Sequence, residues 1–174
     1  MRTFVAITIP GEVRTALAAV VTDPVEGLRW SRSEHWHVTL AFLGDITVPA
    51  ARIADLLAPT ASGPLELHVA DAGRFGPGVL WAGVASHPAG ALPARAEAVR
   101  AALMAGGLTH HDQRFRPHLT FARRGRRGVS RRDVAWLAER LPEASWTASE
   151  IAVMHSHLAS GQPARHELAA TTPL

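Results

Sequence analysis

One short pattern occurs twice in this sequence, as His37-Val38-Thr39-Leu40 and as His118-Leu119-Thr120-Phe121. In a strand, residues i and i+2 face the same way, so each histidine shares a face with its threonine. Val38 and Leu40, and likewise Leu119 and Phe121, then point into a core on the other side. Each copy is a half-site: one imidazole and one hydroxyl, anchored on a rigid strand. Two half-sites facing each other would surround a tetrahedral anion with two imidazoles and two hydroxyls. Phosphodiester cleavage without a metal requires that set. One histidine takes the proton from an attacking water, while the other protonates the departing oxygen. The hydroxyls donate to the non-bridging oxygens, where charge accumulates. Imidazole suits both tasks because its ordinary pKa of about 6.5 lies near working pH. A single His-x-Thr is common in strands, and the chain has 10 histidines, so the repetition carries the reading.

The elements that must position these residues follow from local pattern. Thr3 to Ile9 alternates and is β-branched, as a strand does. Pro10 and Gly11 break it, and Glu12 to Val21 is an alanine-rich helix. Leu28 to Trp30 is a short strand, and His37 to Leu43 a longer one closed by Gly44 and Asp45. Val48 to Leu57 follows as a helix, with Thr47 as N-cap and Pro49 in its first turn. Leu65 to Arg74 and Val79 to Ala85 form two strands around Gly76, Pro77 and Gly78. Leu92, Ala96, Val99 and Leu103 make one stripe of a helix over Leu92 to Met104, which Gly106 and Gly107 end. His118 to Ala122 is a strand introduced by Pro117. Ser130 and Asp133 resemble a capping box opening a helix that carries Val134, Leu137 and Leu141. Strands near Ser149 to Met154 and His166 to Ala170 finish the chain. Mixed strands and helices with several hairpins predict an α+β fold.

The 174 residues suffice for one domain, or for two small lobes sharing one core. With 47% hydrophobic and 19% charged residues, the chain can bury such a core and is not disordered. The absence of cysteine excludes a disulfide framework, a thiolate metal site and a cysteine nucleophile. The first ten residues lack the apolar region and cleavage site of a signal peptide, and no apolar run approaches membrane-spanning length. A soluble cytoplasmic protein is the expectation. All 18 basic residues are arginine, and eight of them fall between Arg114 and Arg132. Arginine presents a planar fork of donors suited to phosphate oxygens, although a solvated basic loop or coding bias accounts for the charge equally well.

Other residues carry weaker signals. His35 with His37, and His155 with His157, are His-x-His pairs able to chelate a metal, but no carboxylate cluster sits beside them, and no metal or cofactor is expected. His110, His111 and Asp112 fall in a loop. Trp30 and Phe115 are candidates for stacking on a base, with core packing as the alternative. Trp81, Trp136 and Trp146 are assigned to packing. Arg123 and Arg124 follow the second motif; strand parity turns Arg124 to the face of His118 and Thr120, unless a bulge substitutes Arg123.

The sequence resembles the two-histidine (2H) phosphoesterases, and within them the RNA 2',3'-cyclic phosphodiesterases, also called 2'-5' RNA ligases. The resemblance runs nearly end to end, through RTFVAITIP, Trp30 ahead of HWHVTLAFLG, GRFGPGVLWAGV and FRPHLTFAR. It implies a bilobal fold with pseudo-twofold symmetry over residues 1–174, two antiparallel sheets flanking a central cleft and helices outside. It also implies His37 as proton donor, His118 as proton acceptor, and Thr39 and Thr120 as phosphate-binding hydroxyls. The implied activity is metal-independent opening of RNA 2',3'-cyclic phosphates to 2'-phosphomonoesters, with 2'-5' ligation as an accessory reaction. The implied partner is RNA with such an end, tRNA fragments included, for a monomer that engages no membrane. The C-terminal part departs from the family pattern. Many relatives have a tyrosine before the serine, whereas this chain reads MHSHL, with His155 before Ser156, and His166 occupies a later aromatic position. Two alternatives stay open: a non-catalytic RNA-binding module, and a phosphodiesterase acting on another small cyclic phosphate.

Overall fold

The computed structural model describes residues 2–110, 114–157 and 165–174. Nine strands and four helices occur among them in the order β1 (Arg2–Thr8), α1 (Gly11–Ala18), β2 (Leu28–Trp30), β3 (His37–Asp45), α2 (Ala50–Leu57), β4 (Leu65–Phe75), β5 (Val79–His87), α3 (Ala91–Ala105), β6 (His118–Arg124), α4 (Arg131–Ala138), β7 (Ser145–Ala148), β8 (Glu150–His157) and β9 (Arg165–Pro173). Two antiparallel sheets result, one ordered β3-β1-β8-β9 and the other β2-β6-β5-β4-β7. This is the α+β architecture expected from the alternation of elements.

The two sheets repeat one plan. Strand β3 follows its neighbour β1 as β6 follows β5, and β8 and β4 lie on the far side of those neighbours. The resemblance extends to an irregularity. On β3, Ala41 pairs with Val5 and Thr39 with Ala6, so Leu40 is an extra residue. On β6, Ala122 pairs with Leu80 and Thr120 with Trp81, so Phe121 is extra. A bulge therefore stands immediately after each His-x-Thr. Two successive residues, Leu40-Ala41 and Phe121-Ala122, are consequently both buried. This matched pair of strands is the pseudo-twofold symmetry of the fold.

One hydrophobic cluster joins both sheets and all four helices. Val38, Leu40, Leu119 and Phe121 lie fully inside it, with Leu17 of α1, Leu57 of α2, Leu103 of α3 and Leu137 of α4. Trp36, one residue before β3, stacks on Phe121 of the other sheet at 4.6 Å between ring centroids. Full burial of such side chains contributes about 1.5–3 kcal/mol each, so the half-sites stand on the best-packed part of the molecule. None of the described helices is long and apolar enough to cross a membrane.

Local structure departs from the sequence-based expectations in four places. Pro49, not Thr47, is the N-cap residue of α2, and no side chain caps that helix. Proline has no N–H and a fixed φ, so it fits the entrance of a helix, and it moves the start to Ala50. Gly44 and Asp45 continue β3 because both still pair with β1. The segment around Ser149 is two strands: β7 pairs with β4 and β8 with β1, so the chain passes from one sheet to the other at Ser149. Leu141 lies beyond α4, which ends at Ala138. The capping box that opens α4 is present, with Ser130 Oγ accepting from Asp133 N–H.

Candidate active site

Both histidines begin their strands, and both are held in the same way. His37 Nδ1 donates to the carbonyl of His35 at 2.7 Å, and His118 Nδ1 donates to the carbonyl of Arg116 at 2.7 Å. A ring whose Nδ1–H is committed two residues back presents Nε2 as the atom that gives or takes a proton. His37 and Thr39, like His118 and Thr120, are half-buried on the side away from the core. Neither threonine hydroxyl has a hydrogen-bond partner among the described residues.

Each imidazole leans on an apolar floor. Beneath His37 lie Phe4, at 4.7 Å between centroids, and the small cluster of Phe4, Ala6, Ala152 and Met154, against which Phe42 packs. His118 is edge-on to Phe75 at 4.9 Å and near Trp81 at 6.2 Å. The indole of Trp81 lies flat across Gly73, where a Cβ would come within 2.2 Å of the ring. A side chain at position 73 would therefore displace this wall of the site. His166, on β9, completes the setting, edge-on to His37 at 5.2 Å, to Phe4 at 5.2 Å and to His35 at 5.0 Å.

Burial decides the charge state of these rings. It pushes His37 down to about 4; the neighbouring His166, His118 and Arg123 push the same way, and the bond to the His35 carbonyl opposes them. Burial also lowers His118, with Arg123 and Arg116 adding to the effect against the Arg116 carbonyl. His166 is lowered to about 4, again chiefly by burial, then by His35 and Arg123. The three rings are neutral at pH 7 in the free protein, and the charges nearby are the Arg123 and Arg116 guanidinium groups. An anion bound beside these rings would raise all three proton affinities.

Arg123 reaches this position because of the bulge at Phe121. Simple alternation puts Arg124 beside Thr120; the extra residue reverses the parity, and Arg123 acts on His37, His118 and His166 together. The parity-based preference for Arg124 is thus corrected. In the other half of the fold the corresponding position after the bulge is Phe42, so the pseudo-symmetric cleft carries its positive charge on one side only.

A model of the 2'-5' RNA ligase superfamily matches residues 12–159 of this chain. The chain belongs to the 2'-5' RNA ligase superfamily. It is 32% identical over 133 residues to an RNA 2',3'-cyclic phosphodiesterase of Geobacillus stearothermophilus, covering 70% of this chain and 41% of that protein. It therefore spans less than half the length of that relative. The RNA 2',3'-cyclic phosphodiesterase of Escherichia coli is 30% identical over 126 residues, 70% of this chain and 71% of that protein. Among solved structures, E. coli LigT complexed with 3'-AMP superposes with a TM-score of 0.78 at 24% identity, over 99% of this chain and 97% of that one.

In this superfamily member, the remaining candidates lie as follows. Trp30 packs edge-on against Trp136 at 5.5 Å, and its indole N–H donates to the Val25 carbonyl at 3.1 Å. Phe115 is half-buried beneath the Arg100 guanidinium at 5.1 Å. Arg124 is exposed and paired through its backbone with Leu28. Arg127, by contrast, is a structural arginine: it grips Asp133 at 2.7 and 2.8 Å and holds that carboxyl down near 2. His35 sits in a 3-10 turn, His155 Nδ1 lies 3.3 Å from Thr3 Oγ1, and His157 pairs with Glu167 at 3.0 Å. Among the described residues, no three His, Asp or Glu side chains group to hold a metal. His110 is in an irregular segment; His111 and Asp112 lie outside the described residues. Trp81 was assigned to packing, and it is buried, yet it also walls the site. Phe75, 40% exposed beside His118, escaped sequence reasoning because only the pairing of β4 with β5 brings it there.

Proposed function

We propose that this protein opens RNA 2',3'-cyclic phosphate ends to 2'-phosphomonoesters, with His37 as proton donor and His118 as proton acceptor. The observation that carries this reading is the pair of identically tethered imidazoles, each beside a threonine, both within the field of Arg123. Relatives named RNA 2',3'-cyclic phosphodiesterase support the substrate class. In the reaction, His118 Nε2 takes a proton from water as its oxygen bonds to phosphorus. The bond from phosphorus to the ribose O3' breaks, and His37 Nε2–H protonates that oxygen. Thr39, Thr120 and Arg123 donate to the non-bridging oxygens while negative charge builds on them. An RNA 5'-hydroxyl replacing the water would yield a 2'-5' linkage by the same proton transfers, which is the ligation reading.

The substrate side of the proposal extends beyond the cleft. Arg123 acts on the scissile phosphate, Arg124 and the exposed arginines up to Arg132 meet further phosphates, and Trp30 and Phe115 remain proposals as base contacts. Phe75 joins them on its position. The whole is read as one two-lobed domain over residues 1–174, a monomeric cytoplasmic protein acting on RNA ends such as tRNA fragments.

Turnover of 2',3'-cyclic AMP after dialysis against EDTA tests this reading. Two imidazoles already supply both proton transfers, so activity should be unchanged and 2'-AMP the product. Loss on chelation, restored by a divalent ion, would replace the acid–base scheme with a metal-assisted one. A second experiment separates the two arginines. Arg123→Ala removes a charged donor to the phosphate, worth about 1.5–3 kcal/mol, so kcat/KM for the mononucleotide should fall roughly 10–100-fold. Arg124→Ala should leave mononucleotide turnover unchanged and reduce only the salt sensitivity of oligonucleotide binding. The reverse ranking would return the phosphate contact to Arg124.

A further inference from the structure

The two proton transfers use His37 and His118 and leave His166, the third imidazole of the cleft, without a task. His166 pairs with Ser156; two residues on, Leu168 pairs with Met154, which pairs in turn with Phe4 of β1. Partners across an antiparallel sheet share a face, and so do residues i and i+2, so His166 stands on the face of Phe4 and His37. The ring contacts agree, since His37, Phe4 and His35 all meet it edge-on at 5.0–5.2 Å between centroids.

The two nitrogens of His166 have different surroundings. Nδ1 is buried with no partner among the described residues. The residue as a whole is only half-buried, so the open edge of the ring is the one that carries Nε2. A buried lone pair without a donor is less costly than a buried N–H without an acceptor, so the proton of the neutral ring sits on Nε2. His37 and His118 hold the opposite tautomer, their Nδ1–H groups being committed to the carbonyls of His35 and Arg116. Burial, with His35 and Arg123 nearby, keeps His166 neutral. Glu167, next along β9, turns to the other face and pairs with His157, so it does not compete for Nε2–H.

A donor here meets an asymmetry of the cleft. Arg123 follows the bulge on β6, whereas Phe42 follows the bulge on β3 and packs against Phe4. Around His37 the strand therefore brings one hydroxyl, Thr39, and an apolar ring where the other half brings a cation. Arg123 acts electrostatically on His166, so the two border the same space. We infer that His166 Nε2–H donates to a non-bridging oxygen of the cyclic phosphate from the His37 side, as Arg123 does from the other. The substrate in this inference rests on the hydrolytic reading above. A neutral donor suits the position better than a second cation. At 5.2 Å from His37, a fixed positive charge would oppose the protonation that His37 needs as an acid.

The experiment compares His166→Phe, which keeps an edge-on ring and loses the donor, with His166→Gln, which loses the ring and places an amide N–H near the position of Nε2. Both are assayed on 2',3'-cyclic AMP and titrated with inorganic phosphate, with circular dichroism as the check on folding. The Phe variant should lose about 3–10-fold in kcat/KM and in phosphate affinity, the contribution of one neutral hydrogen bond, and the Gln variant should lose less. A residue that only packs gives the opposite order, with Phe near the unmodified protein and Gln impaired, and that order overturns the inference. In the unmodified protein, ¹⁵N spectra of the imidazoles should show His166 protonated at Nε2, with that nitrogen shifting as phosphate saturates. Protonation at Nδ1, or no shift, overturns the inference without any variant. Phosphate binding that depends on His166 in a protein that leaves 2',3'-cyclic AMP intact would sink the hydrolytic reading and keep the donor.

Discussion

His37→Ala and His118→Ala are each expected to lower kcat for 2',3'-cyclic AMP by about 10²–10⁴, the usual contribution of a positioned proton-transfer group. Folding should survive both changes, because each ring lies outside the main core and its Nδ1 bond goes to a carbonyl that water can satisfy. The double variant should be little slower than the slower single one, since the two residues serve one concerted step. Circular dichroism and steady-state rates on the same samples decide the matter. A folded variant with near-normal turnover would remove that histidine from the mechanism.

The second large effect is on pH dependence. The reactive form carries a proton on His37 and none on His118. In the free protein His37 sits at about 4, so at pH 7 its protonated fraction is about one part in 10³. The basic limb of kcat/KM, which reports the free protein, should therefore fall well below the ordinary imidazole value of 6.5. An anionic phosphate in the cleft favours imidazolium, so the same limb should lie at higher pH in the kcat profile. His118 is lowered as well, so both limbs of the free-protein profile should lie below the ordinary imidazole value. Because the rings interact, the limbs report the pair and not either residue alone. A kcat/KM limb at or above 6.5 would show that the cleft does not hold His37 neutral before substrate arrives.

The same burial links pH to stability. His37 and His166 both have folded pKa values below the unfolded value, so the unfolded chain binds more protons between about 4 and 6.5. Their contribution to stability is present above the unfolded pKa and is lost as the pH falls through that window.

Period-two alternation is a local signal, and it made the two half-sites legible. Placing His37 with Thr39 and His118 with Thr120 requires nothing beyond strand geometry, and the buried partners Val38, Leu40, Leu119 and Phe121 follow from the same rule. Alternation fails one residue later. The bulge at Phe121 has no residue signature of its own, so Arg123 could be placed only once the pairing with β5 was known. The strands around Ser149 merge in the sequence because β7 and β8 are both alternating and adjacent; what separates them is the sheet each one joins. Phe75, Trp81 and His166 reach the cleft through pairing between distant segments, which composition does not encode. The arginine-rich stretch shows the opposite limit. Charge pattern treats its members alike, yet Arg127 is occupied by Asp133 while Arg123 faces the histidines.

The division of labour between the two imidazoles is the central claim, and a change of leaving group tests it most directly. A 2',3'-cyclic nucleotide with sulfur in place of the departing 3' oxygen releases a thiolate, which needs no proton. Its hydrolysis rate would be measured with the unmodified protein, His37→Ala and His118→Ala. The account predicts that sulfur largely restores the His37 variant and does little for the His118 variant, which still lacks its base. Restoration confined to the His118 variant would contradict the assignment and exchange the two roles.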